Sequence, residues 1–382
     1  MNQRPTRAEI DLDALAANYR ALQEAAGERE VLAVVKANAY GHGAVACSRA
    51  LEEAGARWLG VAIVEEGVAL REAGVSARIL VLNGLFDGQA EACLAHDLTP
   101  VVYRLESFAD LQALASSRGE KARVHLKVDT GMGRVGVPLG DLPAFAADLK
   151  RYPEVEVEGL LTHLADADIR DLDYSREQVA RFGRAAEAMA AAGRPVPLRH
   201  FANSAATVRR LGGEAGMVRP GIMLYGARPA PDFDPSVPLR PVMRFLTATA
   251  YVKRVPPGSP VSYGRTFVTK RESVIATLPV GYADGVPRKL SNRGEVLVRG
   301  RRLPIVGRVC MDLTMVDATD FPDLAVGEEA VLIGAQGDGR ISAEEFAGWA
   351  ETIDYEILCG VSSRVPRVYL PGDEATACES SS

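Results

Sequence analysis

The sequence predicts an α/β protein: a (β/α)8 TIM barrel followed by a mostly antiparallel β domain. Three observations carry this expectation. Short Val-, Ile- and Leu-rich runs alternate with helix-like segments over the first two-thirds of the chain. Runs apolar on both faces mark strands covered on either side, as in a parallel sheet. The stretch 228–241 then brings five prolines and reads as a linker. Beyond it the runs become β-rich, short and separated by Pro-Gly, Asp-Gly and Gly-Asp turn signals.

Taken in order, the strand runs are 31–35, 58–64, 78–82, 100–103, 123–128, 155–161, 198–201 and 216–218. The helical segments between them are 44–54, 65–73, 107–116, 142–152 and 175–192. Ser175 and Gln178 have capping-box spacing, and Gly193 with Pro195 closes that helix. Eight units of this length suit a closed barrel of roughly 200–250 residues. The fourth and eighth units are the weakest, so an open doubly wound sheet stays as the alternative. The expected boundaries are 8–235 for the barrel and 236–382 for the β domain, with residues 1–10 a candidate addition to the latter. In the β domain the runs are 243–255, 273–279, 294–298, 301–309, 313–316 and 330–333. The tail from Gly372 is expected to fray.

At about 100–200 residues per domain, 382 residues suit two domains. Lys and Arg number 44 against 50 Asp and Glu, a net charge of −6. Such a chain is poorly suited to nucleic acid or an anionic membrane, where affinity comes from neutralising phosphates. Cys47, Cys93, Cys310, Cys359 and Cys378 form no CxxC pair, which argues against a thiolate zinc site and fits a reducing compartment. No signal peptide or bilayer-length apolar run is visible, and the expectation is a soluble cytoplasmic enzyme.

Several segments could carry chemistry. In VVKANAYGHG (34–43), Lys36 falls at the C-terminal end of the first strand, the barrel face where catalytic groups gather. A lysine there can act as an amine nucleophile, or merely lay its stem on the strand end with its head in water. In HLKVDTGMGRVG (125–136), Arg134 and Asp129 stand among glycines: a carboxylate-binding loop, or a plain turn with surface ion pairs. His163 follows the sixth strand, placed to stack on a flat cofactor or simply to fill the structure. HFANSAA (200–206) and MVRPGIMLYG (217–226) follow strands seven and eight, where barrels often bind phosphate; ordinary helix capping explains either segment alone. In the β domain, SYGRTF (262–267) and VGYADGVPR (280–288) put Tyr263 and Tyr282 in Gly-flanked turns.

Together these segments resemble the alanine racemase family, in order, from about Arg7 to Leu370. VVKANAYGHG, KVDTGMGRVG, ANSAA, VRPGIMLYG, SYGRTF, GYADG, RVCMD and IDYE carry the resemblance. It implies pyridoxal 5'-phosphate (PLP) as cofactor, held by the Lys36 amine, with Tyr40, Ser204, Gly221, Ile222 and Tyr355 around its phosphate. It puts Arg219 against the pyridine nitrogen and His163 near the ring. It makes Lys36 and Tyr263 the two catalytic bases, Lys36 serving the D face and Tyr263 the L face. It further implies that Tyr263 acts on the cofactor of the partner subunit, in a homodimer with shared active sites. Met311, also reaching across, and Arg134 would bind the substrate carboxylate; Tyr282 would line the entrance with Tyr355. Lys127 matches a position often carbamylated. The implied substrate is alanine and the implied role is D-alanine supply for cell-wall peptidoglycan, with no metal. One departure is Leu313-Thr314, where many relatives have glutamine.

The chemistry is coherent. Racemisation needs a base on each face of the substrate. An arginine at the pyridine nitrogen donates a hydrogen bond and keeps its own proton. The nitrogen then stays unprotonated, a weaker electron sink that favours prompt return of the proton to Cα. Basic amino-acid decarboxylases of the same fold place an acid there, so Arg219 argues against them. A broad-specificity racemase remains open. A PLP carrier would need the barrel alone, and a metal-dependent hydrolase would want several His and Asp at strand ends, which five histidines spread over the chain supply poorly. A cation helps a tyrosine base, and Arg265 is the candidate by proximity in sequence.

Overall fold

The computed structural model describes residues 4–212, 215–234 and 236–370. The tail from Gly372 and Cys378 lie outside the described residues. The chain divides into two compact units. One holds residues 15–39 and 44–240; the other gathers residues 4–14, 40–43 and 241–370.

The first unit is a closed parallel barrel. Its strands are Glu30–Val34, Trp58–Val61, Arg78–Val81, Leu98–Val102, Ala122–Asp129, Val155–Leu161, Leu198–Ala202 and Met217–Val218. The fourth and fifth pair through Val101↔His125, and the eighth returns to the first through Met217↔Glu30. Those pairings leave no open edge and rule out the doubly wound sheet. The strands are almost wholly buried, as both-face apolar runs require.

The two weak units have physical causes. The fourth strand is preceded by a helix of one and a half turns, Ala90–Ala95, too short to show a period. The eighth is followed only by a 3-10 turn, Ile222–Tyr225. The helix that docks there comes from the N-terminal region, Leu12–Ala26. Its buried Asn18 amide donates to Leu224 O (3.0 Å) and Arg240 O (2.7 Å).

One capping expectation is corrected. The long helix spans Asp173–Ala191, begins two residues before Ser175, and has no side-chain cap at Leu172. Gln178 is not a capping residue. Its amide nitrogen donates to His163 O (3.1 Å) and its oxygen accepts from Ala165 N (2.8 Å).

The second unit is mostly antiparallel. Its main sheet runs Arg301–Pro304, Glu295–Val298, Glu329–Gln336, Met243–Ala248, Arg7–Asp11, Arg367–Leu370. Arg7–Asp11 lies antiparallel to Met243–Ala248 and parallel to Arg367–Leu370. A second sheet joins Tyr251–Val255, Ser273–Leu278 and Thr314–Asp317. The expected run 243–255 is therefore two strands in two sheets. The break follows from Thr249, whose hydroxyl donates to Ala325 O (2.7 Å) and accepts from Glu328 N (3.0 Å), turning the chain. Two helices, Ala343–Ala350 and Asp354–Gly360, complete the unit.

Candidate active site

In the barrel unit the site grows from the C-terminal strand ends. Lys36 is the second residue past the first strand and is half-buried. The last ladder bond there is Val35 N to Gly60 O (2.8 Å). Residues Ala37, Asn38, Ala39 and Tyr40 then all take φ of 51–54°. Four left-handed residues in a row are costly, roughly 1–2 kcal/mol each for L-residues. Strain of this kind persists only where neighbours over-determine it. Asn38 contributes by accepting from Ala44 N (2.8 Å).

Four more strand ends bring in the rest. Lys127, on the fifth strand, is buried, and burial pushes its amine down to about 8. The fields of Arg219, Arg134 and Lys36 act in the same direction, against Asp129 alone. Asp129 mainly shapes the next turn, accepting from Gly131 N (2.9 Å) and Gly133 N. Gly136 closes that turn, because a Cβ there would lie 2.7 Å from Asp129 N. Arg134 is exposed on this loop.

Arg219 is the buried centre. It follows the eighth strand and donates to Thr162 O (2.8 Å), His200 Nδ1 (2.9 Å) and His163 Nδ1 (3.3 Å). Burial lowers its guanidinium only to about 10, so it remains a cation at neutral pH. Burial and this cation hold His163 and His200 well below their ordinary range, so both are neutral.

The bonding then assigns every proton along a buried chain. Arginine can only donate, so His200 Nδ1 accepts and its Nε2 carries the hydrogen. That nitrogen lies 2.8 Å from His125 Nδ1, which must accept. His125 Nε2 then donates to Glu158 Oε1 (3.2 Å). Glu158 also pairs with Arg78 (2.5 Å), whose guanidinium lies 3.9 Å over the Trp58 ring. None of Arg78, Glu158, His125 or His200 was a candidate from sequence. The available signal was polar residues inside strands that otherwise read as core. Gly159 is part of the fit, since a Cβ there would strike the His125 ring at 2.5 Å.

Strands seven and eight bring Ser204 and Gly221 together: Gly221 N donates to Ser204 Oγ (2.8 Å). Asn203 caps the short helix Ser204–Val208, accepting from Ala206 N. Ile222 opens the 3-10 turn, and Tyr225 ties that turn to Val34 O (3.0 Å) beside Lys36. First-turn amides of both helices have no intrahelical acceptor. Such amides, with Lys36, Lys127, Arg134 and Arg219 near one acidic group, form a donor set suited to an anionic ligand. The residues present thus fit a phosphorylated cofactor.

The other candidates belong to the second unit. Tyr40 is buried, its hydroxyl pushed up by burial, with its ring 6.1 Å from Tyr355. The segment 40–43 passes close to the helix Asp354–Gly360. A Cβ on Gly41 would lie 2.2 Å from Leu358 O, so only glycine fits. Tyr263 is 71% exposed on a 3-10 turn, Tyr263–Arg265, flanked by left-handed Ser262 and Gly264. Ser262 anchors the turn by donating to Arg308 O (2.6 Å). The cation beside Gly264 is Arg308, its guanidinium 3.3 Å from where a Cβ would stand.

Tyr282 and Met311 are tied by their backbones. Tyr282 N donates to Cys310 O and Ala283 N to Met311 O, both at 3.0 Å. Buried Asp284 holds the Tyr282 turn, accepting from Gly281 N and from Arg4. Tyr263, Tyr282, Met311 and Leu313 are all exposed, and Tyr263 and Leu313 line one groove of about 390 Å³. At the 313–314 departure, Thr314 is buried and donates to Val280 O (2.7 Å), a structural contact. Among the described residues, no helix is long and apolar enough to cross a membrane. No cluster of three His, Cys, Asp or Glu could hold a metal there.

Comparison with known proteins is consistent along the whole chain. Residues 10–229 match the family model described as alanine racemase, N-terminal domain, and 242–369 match its C-terminal domain. An alanine racemase from Halothermothrix orenii is 49% identical over 96% of this chain and 97% of its own. The crystal structure of alanine racemase from D-cycloserine-producing Streptomyces lavendulae superposes with a TM-score of 0.92. It is 40% identical, over 98% of this chain and 99% of its own. An alanine racemase from Bartonella henselae, solved with covalently bound pyridoxal phosphate, gives a TM-score of 0.87. It is 33% identical over 96% of this chain and all of its own.

Proposed function

The chain belongs to the alanine racemase family, and from that premise we propose that it interconverts L- and D-alanine with PLP. The observation that carries this reading is Arg219, a buried cation that donates to two neutral histidines and keeps its own proton. Lys36 supplies the amine that holds the cofactor. The Ser204 hydroxyl and the Ile222 amide would receive the phosphate, with Gly221 N holding the Ser204 oxygen in place, and the family resemblance assigns Tyr40 and Tyr355 to the same group. When bound, PLP acidifies the substrate Cα–H by spreading its electrons into the ring. Arg219, which can only donate, would face the ring nitrogen of the bound cofactor, and His163 would lie near its ring.

Lys36 removes or returns the Cα proton on the D face. Tyr263 of the partner subunit does so on the L face. Met311 of the partner subunit and Arg134 bind the carboxylate, and Tyr282 borders the entrance. Exposed Tyr263, Met311, Tyr282 and Leu313 support a homodimer with shared sites. The product is suited to peptidoglycan synthesis, in the cytoplasm.

Chiral chromatography after incubation with PLP and a panel of L-amino acids tests the proposal. Conversion of L-alanine alone towards an equal mixture supports it. Release of CO2 without D-product would overturn the reading of Arg219. Arg219→Glu is expected to lower racemisation by at least about a hundredfold and to divert turnover towards transamination. Unchanged partitioning between the two products would contradict the role given to the arginine.

Lys127 is proposed to be carbamylated. At about 8 roughly a fifth of its amine is neutral near physiological pH, far more than for an ordinary lysine, and the neutral amine is the form that attacks CO2. The nitrogen lone pair bonds to the CO2 carbon, one proton leaves, and a cation becomes an anion beside Arg134 and Arg219. In CO2-free buffer the free amine titrates lower when folded than when unfolded. The unfolded chain then holds the extra proton between about pH 8 and 10.5, so stability rises across that window. The gain is about 3 kcal/mol between the plateaux, read by denaturant midpoints. Lys127→Met should flatten the rise; a slope that survives would place the titration elsewhere.

A further inference from the structure

The turn that carries Lys36 is left-handed over four residues, and something must hold it. Its first amide is Ala37 N, directly after Lys36. That N–H donates to Glu66 Oε1 at 2.7 Å. The other oxygen of the same carboxylate accepts from Ala62 N, also at 2.7 Å. Glu66 is half-buried in the first turn of the helix Val64–Glu72. That helix has Ile63 as its N-cap and no side-chain cap of its own.

The arrangement is a bridge across two neighbouring strand ends. The first and second strands pair up to Val34↔Gly60, and Val35 N makes the last ladder bond to Gly60 O. Beyond that point the strands diverge. Ala37 N heads a helical turn, where an amide has no intrahelical acceptor. Ala62 N heads the approach to the next helix. One carboxylate serves both, through two short bonds of the charge-assisted kind.

We propose that Glu66 is a positioning residue for Lys36. It caps the left-handed turn from outside and so sets the direction in which the lysine leaves the strand. This rests on the reading of Lys36 as the cofactor-holding amine. The peptide between Lys36 and Ala37 is pinned at its nitrogen. Without the pin, the following residues can relax to the right-handed conformation favoured by L-residues. The Lys36 amine then no longer meets its target in one geometry. Glu66 acts through the backbone amides of Ala37 and Ala62.

Glu66→Gln keeps the shape but replaces one acceptor oxygen by an NH2 group, which faces an N–H donor. The expected result is a fall in kcat of between about ten- and a hundredfold with little change in KM for alanine. The visible circular dichroism of the cofactor-loaded protein should weaken. Glu65→Gln, at the exposed neighbouring position, should change neither. Ala37→Gly in the Glu66→Gln background removes the left-handed penalty at the first of the four residues and should recover part of kcat and of the dichroism. No recovery would mean that Glu66 only anchors its own helix, and the proposal falls.

Hydrogen exchange of the wild-type apoprotein supplies a test that needs no variant. The amides of Ala37 and Ala62 should both be protected, and free exchange at either would overturn the bridge. Failure of the underlying reading is separable. If Lys36→Ala retains the cofactor's dialysis-resistant colour, Lys36 is not its carrier, whatever the exchange at Ala37 shows.

Discussion

A Lys36→Ala chain incubated with PLP is expected to lose, on dialysis, the yellow absorbance that the wild type keeps. Racemisation should fall by on the order of 10⁴-fold or more, because carrier and base go together. The test is demanding because a second amine lies close by. Lys127 is buried, and burial together with Arg219, Arg134 and Lys36 lowers it to about 8, so it is reactive enough to compete. It differs in placement, being part of the fifth strand itself, while Lys36 follows its strand end and leads into the left-handed turn. Colour that survives in Lys36→Ala would overturn the assignment, and its loss on further replacing Lys127, in CO2-free buffer where that amine is free, would identify Lys127 as the carrier. The substitution also removes one of the cations acting on Lys127. Its amine should then titrate higher than in the wild type, a shift that pH-dependent carbamylation can follow.

Mixing two dead chains should restore activity. Lys36→Ala and Tyr263→Phe each disable both sites of their own homodimer if each site draws Lys36 from one chain and the tyrosine from the partner. In a mixed dimer one site receives an intact Lys36 and an intact Tyr263, while the other receives neither. Random reassociation makes half the dimers mixed, so about a quarter of wild-type activity should return. The 71% exposure of Tyr263 motivates this experiment. No recovery after verified exchange of subunits would place the tyrosine in the same chain's site. In the Tyr263→Phe homodimer, exchange of the L-alanine Cα proton should slow far more than that of D-alanine. Equal losses would contradict the division of faces.

Much of the fold was legible because barrel strands announce themselves locally. Val155–Leu161 was expected at those bounds, and the other barrel strands differ by at most three residues at either end. The misreadings share one cause. Ser175 and Gln178 have the spacing of a cap, yet Gln178 is engaged by the His163 loop, which the sequence places 15 residues away. Residues 243–255 look like one strand, yet Thr249 bonds to partners more than 70 residues on. The eighth barrel unit looked incomplete because its helix comes from residues 12–26. In each case a distant segment overrode a valid local signal.

The site divides in the same way. The sequence by itself determined the alternating architecture, the chemistry-bearing segments and their placement at strand ends, because period, turn residues and strand direction are properties of neighbours along the chain. The tertiary structure alone decided how those groups behave. Lys127 titrates low because it is buried and because Lys36, Arg134 and Arg219 converge on it from separate segments. His200 and His125 take single tautomers because Arg219 stands at one end of their chain and Glu158 at the other. Lys36 leaves its strand through a left-handed turn whose first amide is held by Glu66, 29 residues away. Desolvation, through-space charge and hydrogen-bond direction depend on what folding brings near, and those neighbours are not neighbours in sequence.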